Sequence, residues 1–124
     1  MAIEFRKDPN YPDSILIRRF SGEVGLKEII ESWDYLLGSG MLNPNVKGVI
    51  NDLSVCDLNM NMDDFRELMY YLKTKDIFLG VKLAVVCNDP KQIVFPVMGE
   101  MKEKGLKIRP FSLEEAAEEW IMLT

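Results

Sequence analysis

The sequence predicts an α/β fold: one mixed, mostly parallel sheet of about five strands, flanked by helices. Three observations carry that prediction. Apolar residues switch between a period near two and a period near 3.6 along the chain. Clusters of glycine, proline and asparagine fall at the switches. The order that results is β-β-α-β-α-β-α-β-α. Right-handed crossovers turn such an alternation into a parallel sheet, and the first two strands, joined tightly, add an antiparallel part. With 124 residues the chain reads as a single domain spanning 1–124. Its 48% apolar residues suffice for a core without disulfides or metals.

The segment "AIEFRKD" is a short first strand, and Pro9 and Pro12 supply turn chemistry after it. "SILIRRF", Ser14 to Phe20, is rich in branched residues and reads as the second strand, with Gly22 breaking its pattern. Leu26, Ile29, Ile30, Trp33, Leu36 and Leu37 then form one apolar helix face, which Gly38-Ser39-Gly40 ends. "NPN" turns the chain into "VKGVIND", Val46 to Asp52, apolar in its centre as strands buried on both faces are. A helix follows from about Met62 to Lys75, with Phe65, Leu68, Met69 and Leu72 inward. "VKLAVVC", Val81 to Cys87, is the next strand. Asp89 then caps a helix with Pro90 at its first position, where a missing N–H costs nothing. That helix runs to about Lys104 and buries Ile93, Val97, Met98 and Met101. "LKIRPF" is the last strand. Ser112 and Glu115 have the spacing of a capping box, and the closing helix buries Leu113, Ala116, Ala117, Trp120 and Ile121.

A formal charge of −5 and a pI near 4.8 argue against nucleic acid as a partner, because phosphate neutralisation needs a concentrated basic face. Basic residues come only in small groups, Arg18-Arg19 and Lys102, Lys104 and Lys107, which read as solvated surface. "MAIEFRKDPN" lacks the apolar stretch of a secretory signal, and no apolar run is long enough for a membrane span. Cys56 and Cys87 therefore read as reduced thiols of a cytoplasmic protein. Histidine is absent, which excludes Ser-His and Cys-His catalysis and the common zinc sets.

Polar residues gather after the third strand, in "VINDLSVCDLNMNMDDF", Val49 to Phe65, where α/β proteins often keep their chemistry. Asp52 stands where a phosphorelay receiver presents its acceptor. Such a site also needs an acidic pair closing an earlier strand, and Arg18-Arg19-Phe20 closes it here. Asp52, Asp57, Asp63 and Asp64 offer carboxylates for acid–base work. The last two are accounted for by the dipole of the following helix, and Asn61 by its cap. Cys87 precedes a helix start, which lowers a thiol pKa, yet no base adjoins it and Asp89 would oppose a thiolate. An enzymatic reading requires Asp52, Asp57 and Cys87 to meet in one cleft, so the expectation is no enzyme, no metal and no cofactor. "GEVG" and "GSG" lack the strand–glycine–helix order of nucleotide motifs. Met60, Met62 and Met69 cluster near one element and Met98 and Met101 lie on another, as core filling or as an adaptable apolar surface.

In this order, after an opening strand pair, "FSGEVGLKEIIESWDYLL", "VKGVINDLS", "GVKLAVV" and "RPFSLEEAAEEWI" resemble the STAS-like family, the fold of the anti-sigma-factor antagonist SpoIIAA. The resemblance spans about residues 14–123 and is nearest to the small stand-alone SpoIIAA-like bacterial proteins. It implies a non-enzymatic regulatory domain that binds a protein partner or itself. In the family's antagonists a strand ends in Asp-Leu-Ser, and an Asp-Ser-Ser segment opens the next helix. A kinase phosphorylates a serine there, and the added charge blocks partner binding. Asp52-Leu53-Ser54 matches the first motif. Asn61 stands about where the serine would be, so the phospho-switch is not implied. The contact surface is what carries over: a 52–62 loop and the outer face of the following helix. Asp52, Ser54, Asp57, Asn61 and Asp63 would be its polar contacts, and Met60, Met62 and Tyr70 its apolar anchors. The alternative is a small apolar ligand, such as a lipid tail, between the sheet and the helix bearing Met98 and Met101.

Overall fold

Five strands form one sheet in the order in which the chain makes them. β1 (Ala2–Lys7) pairs antiparallel with β2 (Ile15–Gly25). β3 (Gly48–Asn59), β4 (Lys82–Val86) and β5 (Lys107–Phe111) follow in parallel, giving the sheet order β1-β2-β3-β4-β5. The connections are α1 (Leu26–Gly38), α2 (Met62–Lys73) with a 3-10 turn at Asp76–Leu79, and α3 (Pro90–Lys102). α4 (Glu114–Met122) follows β5. The computed structural model describes residues 2–102 and 105–123, the side chains at 101 and 102 excepted. The mixed, mostly parallel α/β sheet expected from the sequence is the one observed.

Every parallel step moves the same way across the sheet, so right-handed crossovers put α1, α2 and α3 on one face. Alternation along the strands then builds two cores. Leu16, Phe20, Val49, Leu53 and Leu83 pack with Trp33, Phe65 and Met69 on the three-helix face. Ile15, Ile17, Ile50, Ala84 and Val86 pack with Ala117 and Ile121 of α4 on the other. Glycine opens β3 because α4 lies directly on it: a Cβ at Gly48 would sit 2.5 Å from Ile121 Cγ2. The strand order never reverses, so the crevice of doubly wound sheets, where ligands collect at strand ends, has no counterpart here.

Several expectations are corrected. β2 and β3 do not stop at Phe20 and Asp52. They pair on to Gly25 and Asn59, beyond the ends of β4 and β5. Gly22 does not break β2: with φ at 75°, a left-handed conformation that glycine adopts freely, it lets the strand continue. The expected 52–62 loop is therefore mostly strand, and only Met60 and Asn61 separate β3 from α2.

On α3, Ile93 is exposed while Gln92, Pro96 and Gly99 are buried. The small residues face the sheet because β5 approaches closely; a Cβ on Gly99 would come within 3.0 Å of Ile108 Cδ1. The side chain of Met101, and all of Lys104, lie outside the described residues. At α4 the Ser112–Glu115 capping box does not form. Leu113 is extended and exposed, and the helix begins only at Glu114. Those two residues carry the chain from β5 to the opposite face of the sheet. The caps at Asn61 and Asp89 do form, Asp89 Oδ1 accepting from Lys91 N at 2.9 Å.

Candidate functional site

The segment after β3's central run is organised by Asp52. Its Oδ1 accepts from the amide and the hydroxyl of Ser54, at 2.9 and 2.6 Å, and its Oδ2 lies 3.6 Å from Arg19 Nε. These contacts hold a bulge: Asp52 pairs with Arg19 and Val55 with Ser21, so β3 spends one residue more than β2. Beyond Asp52 there is no β4 to pair with, and the freed carbonyls need donors. Gln92 supplies them. Its Nε2 donates to Leu53 O at 3.0 Å and to Cys56 O at 2.9 Å.

Past the bulge, Cys56 and Leu58 turn toward the three-helix core, while Val55, Asp57 and Asn59 are exposed on the other side of the strand. The expected contact residues are divided accordingly. Asp52 is buried and serves the bulge instead of the surface. Ser54 is half-buried and tied to it. Asp57 is exposed on the outer side of the β2–β3 arm. Met60 is half-buried against the core. Asn61 forms a reciprocal cap with Asp64, each backbone N–H donating to the other's side chain at 2.9 and 3.1 Å. Met62, Asp63 and Tyr70 do come together, on the outer face of α2. Met62, Arg66 and Tyr70 follow the i, i+4, i+8 spacing of one helix stripe, and Asp63 accepts from Arg66 Nη1 at 2.8 Å.

The enzymatic constellation does not assemble among the described residues. Cys87 is buried and its thiol is pushed up by that burial, with no charge interaction from either aspartate. Burial, then Asp52 and Asp57, push the Cys56 thiol up to about 11. Both effects disfavour a thiolate nucleophile. No group of three His, Cys, Asp or Glu side chains able to hold a metal ion occurs among the described residues, and no helix there is long and apolar enough to cross a membrane.

A cavity of about 90 Å³ lies between the sheet and the three helices. Phe20, Leu53, Phe65, Leu68 and Leu83 give it apolar walls, and α3 contributes Gln92, Phe95 and Pro96. Met98 packs against the core but does not line the cavity. Arg18 also lines it, only 3% exposed. Its Nε donates to Asn51 Oδ1 at 3.0 Å, and its Nη1 to Ile29 O at 3.2 Å and Ser32 Oγ at 3.1 Å. The guanidinium sits 3.6 Å from the centre of the Trp33 ring. Asn51 is itself fixed, donating to Ala84 O at 2.9 Å. Burial presses the Arg18 pKa well down, yet an arginine side chain stays charged in a protein.

No family model and no curated protein matches this chain. Solved structures do match it. An uncharacterised protein of the DUF3478 family from Shewanella loihica, described as having a SpoIIAA-like fold, superposes with a TM-score of 0.62. The two share 17% identity over 97% of this chain and 92% of that one. The anti-sigma factor antagonist SpoIIAA in its unphosphorylated form superposes with a TM-score of 0.60, at 12% identity over 98% of this chain and 100% of that one. The fold is SpoIIAA-like.

Likeness at such identity concerns the SpoIIAA-like backbone, and the chemistry has to be read from this chain's side chains. Sequence reasoning missed two of them. Arg18 is not surface charge like its neighbour Arg19: period two places it between Leu16 and Phe20 on the core-facing side of β2. Gln92 sits in the first turn of α3, and nothing local marks it as the donor to two carbonyls far away in the chain.

Proposed function

We propose that this chain is a single STAS-like regulatory domain of the cytoplasm that acts by docking a protein partner, or a second copy of itself, on the outer face of α2. The reading rests on the Met62–Arg66–Tyr70 stripe, where Tyr70 is 72% exposed on the side of α2 away from the core. Aromatic and arginine side chains of this kind supply most of the binding energy of protein interfaces. The SpoIIAA-like fold supports a regulatory role, since one solved structure with that fold is described as an anti-sigma factor antagonist. A non-enzymatic mode agrees with the two disfavoured thiolates and the lack of a histidine base.

Control by phosphorylation at the helix start is not part of the proposal. Asn61 has no hydroxyl to modify, and its side chain and backbone are both engaged in the cap with Asp64. Ser54 is half-buried with its hydroxyl committed to Asp52.

The test is affinity capture with the tagged full chain, run beside the double variant Met62→Glu, Tyr70→Ser, with sedimentation velocity to follow self-association. The variant should retain its fold and lose partner or self-association by at least about tenfold in affinity. Equal recovery from wild type and variant would refute the assignment of the α2 face.

A further inference from the structure

We propose that the free edge of β1 pairs with the same edge of a second copy of this chain, antiparallel and centred on Phe5, so that two sheets join into one. The surface is separate from the outer face of α2, and the inference does not rest on docking there.

β1 closes one side of the sheet, and no strand pairs with its outer edge among the described residues. The register shows which of its groups point outward. Asp8 N–H donates to Ile15 O at 3.0 Å, so Asp8 and Ile15 occupy a hydrogen-bonded position of the ladder. Such positions recur every second residue, at Arg6 with Ile17 and at Glu4 with Arg19. The residues between them, Ile3, Phe5 and Lys7, therefore direct their N–H and C=O groups away from β2. A row of unpaired backbone groups of this kind is a template for another strand.

The side chains make this edge complementary to itself. Ile3 and Phe5 lie on the three-helix side, where Phe5 stacks on Tyr35 with 5.2 Å between ring centres. Alternation puts Glu4 and Arg6 on the α4 side, and Arg6 Nη2 reaches Glu114 Oε1 there at 3.2 Å. With a two-fold axis through Phe5, Phe5 faces the partner's Phe5 and Ile3 faces the partner's Lys7, each pair exchanging both backbone hydrogen bonds. Glu4 then lies opposite the partner's Arg6 on either side of the axis, in the closer, non-hydrogen-bonded positions with Cα atoms ~4.5 Å apart. Sliding one strand by two residues keeps the bonding pattern. It sets Glu4 against the partner's Glu4, or Arg6 against the partner's Arg6, according to direction. Charge thus selects the register. The opposite edge of the sheet offers no equivalent: β5 carries Lys107 and Arg109 without an acid, and Pro110 has no N–H to give. β1 has neither a proline nor a bulge.

The experiment is sedimentation velocity of the full chain and of two charge-reversal variants, with circular dichroism to confirm their folds. The wild type should sediment as a dimer at about 100 μM. Glu4→Arg and Arg6→Glu each make both cross-strand pairs repulsive and should weaken association at least about tenfold. An equimolar mixture of the two variants restores opposite charges in both pairs, so it should associate within a factor of about three of wild type. Both residues are exposed, and the exposed Arg6–Glu114 pair contributes little to the fold, so both variants should fold. A wild type that stays monomeric up to about 1 mM overturns the proposal. So do single variants that dimerise like wild type, or a mixture no tighter than its components. Met62→Glu with Tyr70→Ser should leave the dimer unchanged. Its loss in that variant would move the contact to α2 and overturn the pairing of β1, so failure of one surface is told apart from failure of the other.

Discussion

Arg18 and Arg19 are neighbours in the chain and opposites in environment. Period two turns Arg18 into the three-helix core against Trp33, and leaves Arg19 partly in water beside Asp52. Cys56 shows the same dependence on surroundings. Half-buried and flanked by Asp52 and Asp57, its thiol is held at about 11 in place of 9.0, which is about a hundredfold less thiolate at neutral pH. Alkylation by iodoacetamide at pH 8 should therefore be about a hundredfold slower in the folded chain than after unfolding in urea, and Asp57→Asn should speed it. Equal rates in folded and unfolded protein would show that the two carboxylates and the burial do not act on this sulfur.

At the scale of elements, the apolar stripes of α1 and α2 were legible because each side chain's face follows from neighbours three or four residues away. The arm formed by Ser21–Gly25 and Val55–Asn59 was not. Its residues are polar, and a bulge reverses the alternation midway, so the local pattern resembles a loop. The inward face of α3 was hidden for a different reason. Contact with β5 favours the smallest residue, Gly99, over the more apolar Ile93. The packing of α4 on β3 makes the corresponding prediction. Gly48→Ala should lower stability by about 1–3 kcal/mol in urea unfolding, because the new methyl overlaps Ile121. Adding Ile121→Ala, which removes the Cγ2, Cγ1 and Cδ1 atoms that the methyl would meet, should cost less than its effect in wild type, so the two effects will not add. Simple additivity would mean that the clash is relieved elsewhere.

For the molecule as a whole, stability depends on a carboxylate pair that ties the β1–β2 turn to α4. Asp8 is fully buried, and its Oδ2 accepts from Asn10 N at 3.0 Å and Tyr11 N at 3.1 Å. Asn10 in turn donates to Glu118 Oε2 at 2.9 Å. Oδ1 of Asp8 has no partner among the described residues, and a proton on Glu118 would give it one. Hydrogen bonding to Asp8, then burial, accordingly raise the Glu118 pKa, while Asn10 opposes the shift. The folded chain thus holds this proton to higher pH than the unfolded chain does. The contribution to stability is fully present below the ordinary glutamate pKa and is lost as pH rises through the raised value. Glu118→Gln should remove that loss, leaving the variant more stable than wild type at pH 7 and less sensitive to pH between 5 and 7 in urea titrations. A wild-type stability that rises over this interval, with the variant following it in parallel, would refute the shared proton.

The order of the elements, the mixed parallel sheet, the caps at Asn61 and Asp89 and the absence of histidine chemistry were all properties of the chain read in one dimension. They depend on periodicity, on turn residues and on composition, which act between near neighbours. The interior position of Arg18, the cavity beside it and the division of the 52–62 segment depended on folding. Each rests on partners far apart in sequence: Arg18 with Asn51, Gln92 with Leu53, and Glu118 with Asn10. No local pattern encodes such pairs, because the sheet register and the crossover helices bring them together only once the whole chain is packed.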